Sequence, residues 1–264
     1  MKISILTVVF EDPKGLKKTL ESIFSQNYED LEIIVIDGGS LSKEMNEIFN
    51  IFADKIKLIS EKDNGIYDAM NKGAMFAKGE WAIFLNAGDT FYENSTLNKI
   101  STYLIDPNCT YYGRAKIIDE NSNAWFYPSI NVDESNITKW LSKRLPNHQA
   151  MFFPFSFYSN NKFDTTISIS ADSNYKIKAL LNLSKFLDIP VCNFYLGGAS
   201  SNLTIDSLYT QFRERLDRQG KYGGLVFATT GLLKSLIKIT CKFIFREKAH
   251  KVLYSLKAFI LKRH

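Results

Sequence analysis

Three aspartates lie at positions where a carboxylate can bind a cation, accept a hydrogen bond or take a proton. Asp37 follows the hydrophobic run LEIIVI, and Asp89 ends the polar loop NAGD, which begins at Asn86 directly after another hydrophobic run. Asp172, in SADSNY, precedes a helical pattern. Because Asn, Gly and Asp are also common in turns, the residue types alone leave open whether these loops form a site. The elements that position the aspartates decide between the two interpretations.

The N-terminal part of the chain alternates between strand-like and helix-like segments. Apolar, β-rich runs occur at 3–10, 31–37, 55–61 and 80–85, and helical patterns lie between them at 13–26, 45–52 and 64–79. This alternation predicts an α/β fold with a mostly parallel central sheet flanked by helices. Ligands of such sheets bind outside the carboxyl ends of the strands. We therefore expect Asp37 and the loop from Asn86 to Asp89 to face one crevice.

The second half of the chain has a less regular pattern. Short β-like runs mix with polar turns between 101 and 145, and the segment LPNHQAMFFP indicates an apolar strand that follows a polar turn. His148 and Gln149 lie in that turn. A loop then leads into a helical pattern that starts near Asp172 and continues to Leu183.

Bulk composition excludes several classes of protein. The 264 residues are 45% hydrophobic and 23% charged, as is ordinary for a globular chain. Cys109, Cys192 and Cys241 are far apart, so we expect neither a disulfide framework nor a zinc site, and a reducing cytoplasm fits best. The N-terminal run is interpreted as a first strand and not as a signal peptide. No apolar run is long enough to span a bilayer.

The net charge of +5 is distributed unevenly. Residues 221–264 contain ten Lys or Arg and one acid, Glu247, which gives 10 − 1 = +9 and leaves 5 − 9 = −4 for the rest of the chain. A slightly acidic body argues against nucleic acid binding, and a basic tail indicates an acidic partner such as an anionic membrane surface. The tail also has aliphatic and aromatic residues on one helical side, which is typical of an interfacial helix. Packing of that side on protein is the alternative.

Several motifs together resemble those of glycosyltransferase family 2. The resemblance is dense in SILTVVF, DLEIIVIDGGS and NGIYDAMNKGAMFAKGEWAIFLNAGD, and thinner in NHQAMFF, ISADSNYKI and LGGASS. It implies the GT-A fold and inverting transfer from a nucleoside-diphosphate sugar. We expect a UDP-linked donor, because UDP is the family's commonest donor nucleotide. The resembling subgroup assembles bacterial polysaccharides. This implies a lipid-linked oligosaccharide acceptor and a peripheral place on the inner face of the plasma membrane.

The resemblance also implies roles for particular residues. Asp37 would contact the base or ribose of the donor, and Asp89 would hold Mn²⁺ or Mg²⁺ against the diphosphate, although Asn86 replaces the first acid of the usual Asp-x-Asp motif. His148 and Gln149 would lie beside the acceptor or the diphosphate. The residues expected to line the donor are Thr7, Val9, Asp37, Asp68, Asn71, Lys72 and Asn86.

Asp172 lies where the family has its catalytic base, although Ala171 precedes it where an acidic pair is usual. The alternative is that Asp172 is the N-cap of the helix that follows. For the chain as a whole, the resemblance implies a GT-A domain at 1–220, with a nucleotide-sugar half at 1–100 and an acceptor half at 101–220. A basic amphipathic helical tail would occupy 221–264.

Two other functions remain open at this point. A nucleotidyltransferase that forms sugar nucleotides shares the fold, but it usually has a Gly-rich basic loop after the first strand, and VVFEDPKGL has none. A non-catalytic carbohydrate-binding protein is the other. The combination of Asp37, Asp89 and Asp172 argues against it.

Overall fold

The computed structural model describes residues 1–128, 145–167 and 170–197, together with 229, 232, 233 and 236. The chain divides into two compact units, Met1–Gly197 and Gly198–His264. The predicted tail at 221–264 therefore lies outside the described residues, apart from four isolated helical positions. No helix in the described part of the chain is both long and apolar enough to cross a membrane.

The first unit alternates strands and helices, as the sequence pattern predicts. Its strands are β1 (Ile3–Val9), β2 (Leu31–Asp37), β3 (Lys57–Ser60), β4 (Trp81–Phe84), β5 (Thr90–Phe91), β6 (Thr110–Ile118), β7 (Ala124–Tyr127), β8 (Met151–Pro154) and β9 (Ser184–Tyr195). Its helices are α1 (Pro13–Phe24), α2 (Lys43–Phe52), α3 (Ile66–Phe76), α4 (Thr96–Ser101), α5 (Phe155–Tyr158) and α6 (Ala171–Leu181), and a short 3₁₀ helix spans His148–Ala150.

The strands form one mixed sheet in the order β3-β2-β1-β4-β8-β6-β9-β5, with β7 beside β6. The expected parallel pairing holds for β3, β2, β1 and β4. In the second half, β8 runs antiparallel to both β4 and β6, and only the β6–β9 pair is parallel. β6 and β7 are joined by residues 119–123 alone, which is enough for a hairpin and too short for a crossover.

The central strand β1 is buried on both faces because helices cover both sides of the sheet. Ile3 and Ile5 belong to a core cluster with residues of α1 and α2, whereas Leu6 and Val8 pack in a second cluster with residues of α3 and α6. All seven residues of β1 are buried. This explains the continuous apolar run, since a strand with two covered faces needs no polar alternation.

The helix that contains Asp172 begins two residues earlier than it would if Asp172 were its N-cap. Ser170 is the N-cap of α6, and Asp172 lies in the first helical turn. The alternative that Asp172 is the N-cap is therefore wrong. Its side chain instead contacts Lys176 of the same helix and residues of two other elements, which are described below.

Candidate active site

The polar loops that follow β2 and β4 lie on either side of the end of β1. Val9 is paired with Asp37 at the last position of the β1–β2 ladder. On the other side, the backbone N–H of Ala87 donates to the carbonyl oxygen of Val8 at 3.2 Å. The loops thus share one edge of the sheet, at the carboxyl ends of its parallel strands, as the strand pattern predicts.

Asp37 is completely buried, and its carboxylate is held by the protein itself. Ser40 donates from its hydroxyl to Oδ1 at 2.5 Å, and Ser60, the last residue of β3, donates to Oδ2 at 2.6 Å. These bonds fasten the DGGS turn to the end of β3. Thr7 is also fully buried, and its Oγ1 has no hydrogen-bond partner among the described residues.

Two residues that the sequence analysis did not single out form the accessible surface next to Asp37. Phe10, the residue after β1, is 65% exposed. A Cβ atom added to Gly38 would meet Oδ2 of Asp63 at 2.8 Å and the Phe10 ring at 3.2 Å, so both side chains converge over this glycine. Asp63 is half-buried and follows β3. Their positions in the loops that follow the parallel strands β1 and β3 are the signal that could have found them.

Two side chains of α1 form hydrogen bonds with the backbone of the loop after β4. The hydroxyl of Thr19 donates to the carbonyl oxygen of Asp89 at 2.7 Å and accepts from the backbone N–H of Gly88 at 3.0 Å. Lys18 donates to the carbonyl oxygen of Gly88 at 3.0 Å. Gly88 has a φ of 96°, a conformation that favours glycine, which explains the residue type at this position.

Asp89 is buried, and both of its carboxylate oxygens already accept hydrogen bonds. The backbone N–H of Tyr195, at the end of β9, donates to Oδ1 at 2.8 Å, and Nε2 of Gln149 donates to Oδ2 at 2.5 Å. Burial raises the pKa of Asp89 to about 7, although these two bonds and the nearby Lys18 act in the opposite direction. Gln149, which lies in the polar turn before β8, also accepts a hydrogen bond from the backbone N–H of Asn86 at 2.8 Å.

The loop after β4 contains an oxygen atom that suits a divalent cation. Oδ1 of Asn86 is buried and has no hydrogen-bond partner in the described part of the chain. Hard cations prefer oxygen ligands, and a diphosphate supplies further ones. Residues 1–128, 145–167 and 170–197 contain no group of three or more His, Cys, Asp or Glu that could hold a metal by itself. Each oxygen of Asp89 accepts a hydrogen bond from the protein, and its assignment as the metal ligand stays a prediction.

The three candidates on α3 are engaged in contacts within the protein. Both the nitrogen and the oxygen of the Asn71 amide bond the backbone of Phe163, at 2.9 and 2.8 Å. Lys72 lies 2.9 Å from Glu61 and 3.7 Å from Asp68. Asp68 also accepts from the backbone N–H of Asn64 at 3.0 Å. Their role in lining the donor stays a prediction.

Asp172 and His148, predicted from separate motifs, lie together. Nδ1 of His148 is 3.5 Å from Oδ2 of Asp172, and Nζ of Lys176 is 2.7 Å from the same oxygen. The hydroxyl of Tyr67 donates to Oδ1 of Asp172 at 3.4 Å. Burial disfavours the charged carboxylate, but Lys176 and His148 outweigh this effect and hold the pKa of Asp172 well below its usual range. Lys176 and Tyr67 are further residues that the sequence analysis missed.

This architecture, with parallel strands ending in polar loops and a mixed second half, defines a GT-A glycosyltransferase fold. A solved structure of Staphylococcus aureus TarS in complex with UDP-GlcNAc is similar to it, with a TM-score of 0.60, 18% identity, and coverage of 89% of this chain and 72% of that one. The chain covers 44% of a longer TarS structure. A mannosyltransferase from Pyrobaculum calidifontis in complex with GDP-Man and Mn²⁺ has a TM-score of 0.58 and 16% identity, covering 98% and 80%.

Sequence comparison specifies the family. The model of glycosyl transferase family 2 matches residues 4–165, and the chain belongs to this family of glycosyltransferases. A PGL/p-HBAD biosynthesis glycosyltransferase of Mycobacterium bovis is 28% identical over 218 residues, which cover 79% of this chain and 81% of the relative.

Proposed function

We propose that this enzyme is an inverting glycosyltransferase that moves a sugar from a nucleoside-diphosphate donor to a hydroxyl of a lipid-linked saccharide in the synthesis of a cell-surface polysaccharide. One observation carries the proposal: three polar or aromatic groups lie in the loops at the carboxyl-end edge of the parallel strands. They are the Phe10 ring, the Asp63 carboxylate and the unpartnered side-chain oxygen of Asn86. This edge offers an aromatic face, an accessible carboxylate and a cation ligand. A nucleoside diphosphate has matching parts.

In this proposal the nucleoside lies against Phe10. An exposed aromatic ring can stack on a base, and Asp63 can accept hydrogen bonds from the N–H or hydroxyl groups of the nucleoside. Asp37 acts by holding the turn on which Gly38 approaches the ligand, because its own oxygens are occupied by Ser40 and Ser60. Relatives of this fold bind uridine and guanosine nucleotides, so both are donor candidates.

A divalent metal fits the diphosphate side of this edge. Oδ1 of Asn86 would hold it, and Asp89 would keep the turn in place through Tyr195 and Gln149. When bound, Mn²⁺ or Mg²⁺ supplies positive charge that stabilises the departing nucleoside diphosphate. A neutral amide oxygen is a weaker ligand than a carboxylate, so we expect modest affinity for the metal.

The acceptor is proposed from charge and family. Residues 221–264 carry a charge of 10 − 1 = +9, more than the net charge of +5 of the whole chain, and a lipid-linked acceptor would be presented at an anionic membrane surface. We therefore propose peripheral association with the cytoplasmic membrane face through this tail. The related mycobacterial protein is named as a PGL/p-HBAD biosynthesis glycosyltransferase, which supports sugar transfer in a biosynthetic pathway.

The test is a donor panel measured in two ways. The purified chain is incubated with UDP-, GDP- and dTDP-sugars in the presence of Mn²⁺ or Mg²⁺, and release of the nucleoside diphosphate and the shift in melting temperature are measured. A ligand that binds only the folded state raises the melting temperature. We expect one nucleotide class to give both signals and Phe10→Ala to reduce both. If no sugar nucleotide gives either signal, the proposal is wrong.

A further inference from the structure

A lysine of α1 lies beside the loop that is proposed to hold the diphosphate. Nζ of Lys18 donates to the carbonyl oxygen of Gly88 at 3.0 Å and lies 3.1 Å from the centroid of the Tyr195 ring. Gly88 follows Asn86 by two residues, so their Cα atoms are at most about 7 Å apart. The ammonium group of Lys18 thus lies at the same loop as the oxygen proposed to bind the cation.

This loop has little positive charge of its own to offer a diphosphate. Asn86, Ala87 and Gly88 are neutral, and Asp89 is an acid whose two oxygens accept hydrogen bonds from the protein. The expected affinity of Asn86 for a metal is modest. A second positive charge would therefore strengthen diphosphate binding, and a lysine can bind phosphate as a point charge.

The positive charge of Lys18 is not neutralised by a close ion pair, unlike that of Lys72, which lies 2.9 Å from Glu61. The close contacts of Lys18 are an uncharged carbonyl oxygen and an uncharged aromatic ring. An ammonium group has three N–H donors, and the carbonyl oxygen of Gly88 uses one of them. Because Lys18 is exposed, a ligand can reach the others.

The two contacts of Lys18 also fix its position before a ligand binds. A lysine side chain loses much rotamer freedom when it is immobilised, and earlier ordering reduces this cost of binding. The face of the Tyr195 ring attracts the ammonium group. Tyr195 is itself attached to the loop, since its backbone N–H donates to Oδ1 of Asp89 at 2.8 Å. The neighbouring Thr19 accepts from the backbone N–H of Gly88.

We propose that the ammonium group of Lys18 binds the diphosphate of the donor, next to the site that Asn86 would provide for a metal. This inference rests on the proposed function. Negative charge increases on the diphosphate as its bond to the anomeric carbon breaks, and a fixed positive charge stabilises it. Part of the affinity for a nucleoside diphosphate should therefore remain when the metal is removed.

The first experiment measures the binding of uridine, UMP and UDP, and of the matching guanosine series, to the full chain in EDTA by isothermal titration. Lys18→Gln removes the charge and Lys18→Arg keeps it. Lys17→Gln is the matched control, because Lys17 is the next residue on α1, is 52% exposed and pairs with Glu21. We expect Lys18→Gln to lose about tenfold or more in affinity for UDP or GDP and to bind the nucleoside unchanged. Lys18→Arg and Lys17→Gln should bind the nucleoside diphosphate much as the unsubstituted chain does.

A second set of measurements separates the charge of Lys18 from its support of the loop. Glutamine can still donate to the carbonyl oxygen of Gly88, so we expect the melting temperature of Lys18→Gln without ligand to be unchanged. The gain in UDP or GDP affinity that Mn²⁺ gives should also persist in this variant, because Asn86 is intact. Added NaCl should weaken nucleoside diphosphate binding less in Lys18→Gln than in the unsubstituted chain, because one screened charge is absent.

The outcomes distinguish this inference from the proposed function. If the unsubstituted chain binds UDP or GDP and Lys18→Gln binds it equally well, Lys18 has no such role and the proposed function stands. Equal losses of nucleoside and nucleoside diphosphate affinity in Lys18→Gln would also overturn the inference, because they would indicate a displaced loop. So would nucleoside diphosphate binding that requires Mn²⁺ completely. If the unsubstituted chain binds neither nucleotide with or without Mn²⁺, the proposed function is contradicted and the inference with it.

Discussion

Nε2 of Gln149 donates to Oδ2 of Asp89 at 2.5 Å, and both residues are buried although 60 residues separate them in the chain. The other end of the same amide accepts from the backbone N–H of Asn86. One side chain thus satisfies a carboxylate and a backbone donor in a loop that belongs to a different half of the domain. The two halves of the candidate site are held in register by this amide.

Gln149→Ala should destabilise the first unit of the chain. It leaves the Asn86 N–H and one oxygen of Asp89 buried without a partner, and we expect a loss of about 2–4 kcal/mol in the free energy of unfolding. Urea unfolding measures the loss. In a double-mutant cycle with Asp89→Ala, the two losses should not add, because the residues share one interaction. Additive losses would show that Gln149 acts elsewhere.

Asp89 should make stability depend on pH in a predictable direction. Its pKa is about 7 in the folded chain against 3.8 ordinarily, so the folded state retains its proton while the unfolded state releases it. The stabilising contribution of the protonated form is complete below pH 3.8 and is lost as the pH rises to about 7. The free energy of unfolding should decrease by about 1.4 kcal/mol per pH unit in this window from this group alone.

Comparison with Asp89→Asn isolates that contribution. Asparagine does not titrate, so the difference in unfolding free energy between the two proteins should change with pH between these limits. Both proteins are unfolded by urea in metal-free buffer, which excludes a cation effect on the carboxylate. A difference that is constant across the window would contradict the raised pKa.

Asn86 should determine how strongly donor binding depends on a metal. Asn86→Asp adds a negative charge to the proposed ligand, and we expect Mn²⁺ affinity in the presence of UDP or GDP to increase on the order of tenfold. Asn86→Ala should remove the gain in affinity that Mn²⁺ gives. Isothermal titration with Mn²⁺ or EDTA measures both effects.

Phe10→Ala is the control for this titration. It should weaken nucleotide binding with and without metal, because the ring is proposed to contact the base and not the cation. An unchanged response to Mn²⁺ in both Asn86 variants would place the metal elsewhere or make the reaction independent of it.

The strands and helices up to β4 could be predicted because each is a local pattern. The continuous apolar run of β1 and the polar loops after β2 and β4 follow from burial on both faces and from the parallel arrangement. The mixed second half could not be predicted in the same way. Its pairings join segments far apart in the chain, such as Thr110 with Ser184, and no local period records them.

The candidate site shows the same division. Helical spacing placed Asp68, Asn71 and Lys72 near one another. It carried no information on Phe163, which lies 92 residues from Asn71 in the chain and whose carbonyl oxygen accepts a hydrogen bond from the Asn71 amide. In contrast, the family resemblance selected Asp172 and His148 separately, and the fold brings them within 3.5 Å. Phe10 and Asp63 were missed because their importance depends on accessibility, which a residue type does not specify.

The basic tail should bind the full chain to anionic membranes. Residues 221–264 carry a charge of 10 − 1 = +9, and each Lys or Arg near an anionic surface contributes up to about 1 kcal/mol. We expect the full chain to float with phosphatidylserine-containing vesicles at low salt and a chain that ends at Gly224 to stay behind. Because the family match covers residues 4–165, the shorter chain should still bind nucleotide.

Charge and apolar contact can be separated within the full chain. Lys234, Lys238 and Lys242 recur at intervals of four residues, so a helix would place them along one side. Changing all three to Glu should prevent flotation with anionic vesicles, whereas conservative replacement by Arg should preserve it. Since attraction to the headgroups is screened by salt, flotation of the unsubstituted chain should decrease between 0.05 and 0.5 M NaCl as the Debye length falls from roughly 14 to 4 Å. Equal flotation of the full chain and the shortened chain would show that the tail packs on protein instead.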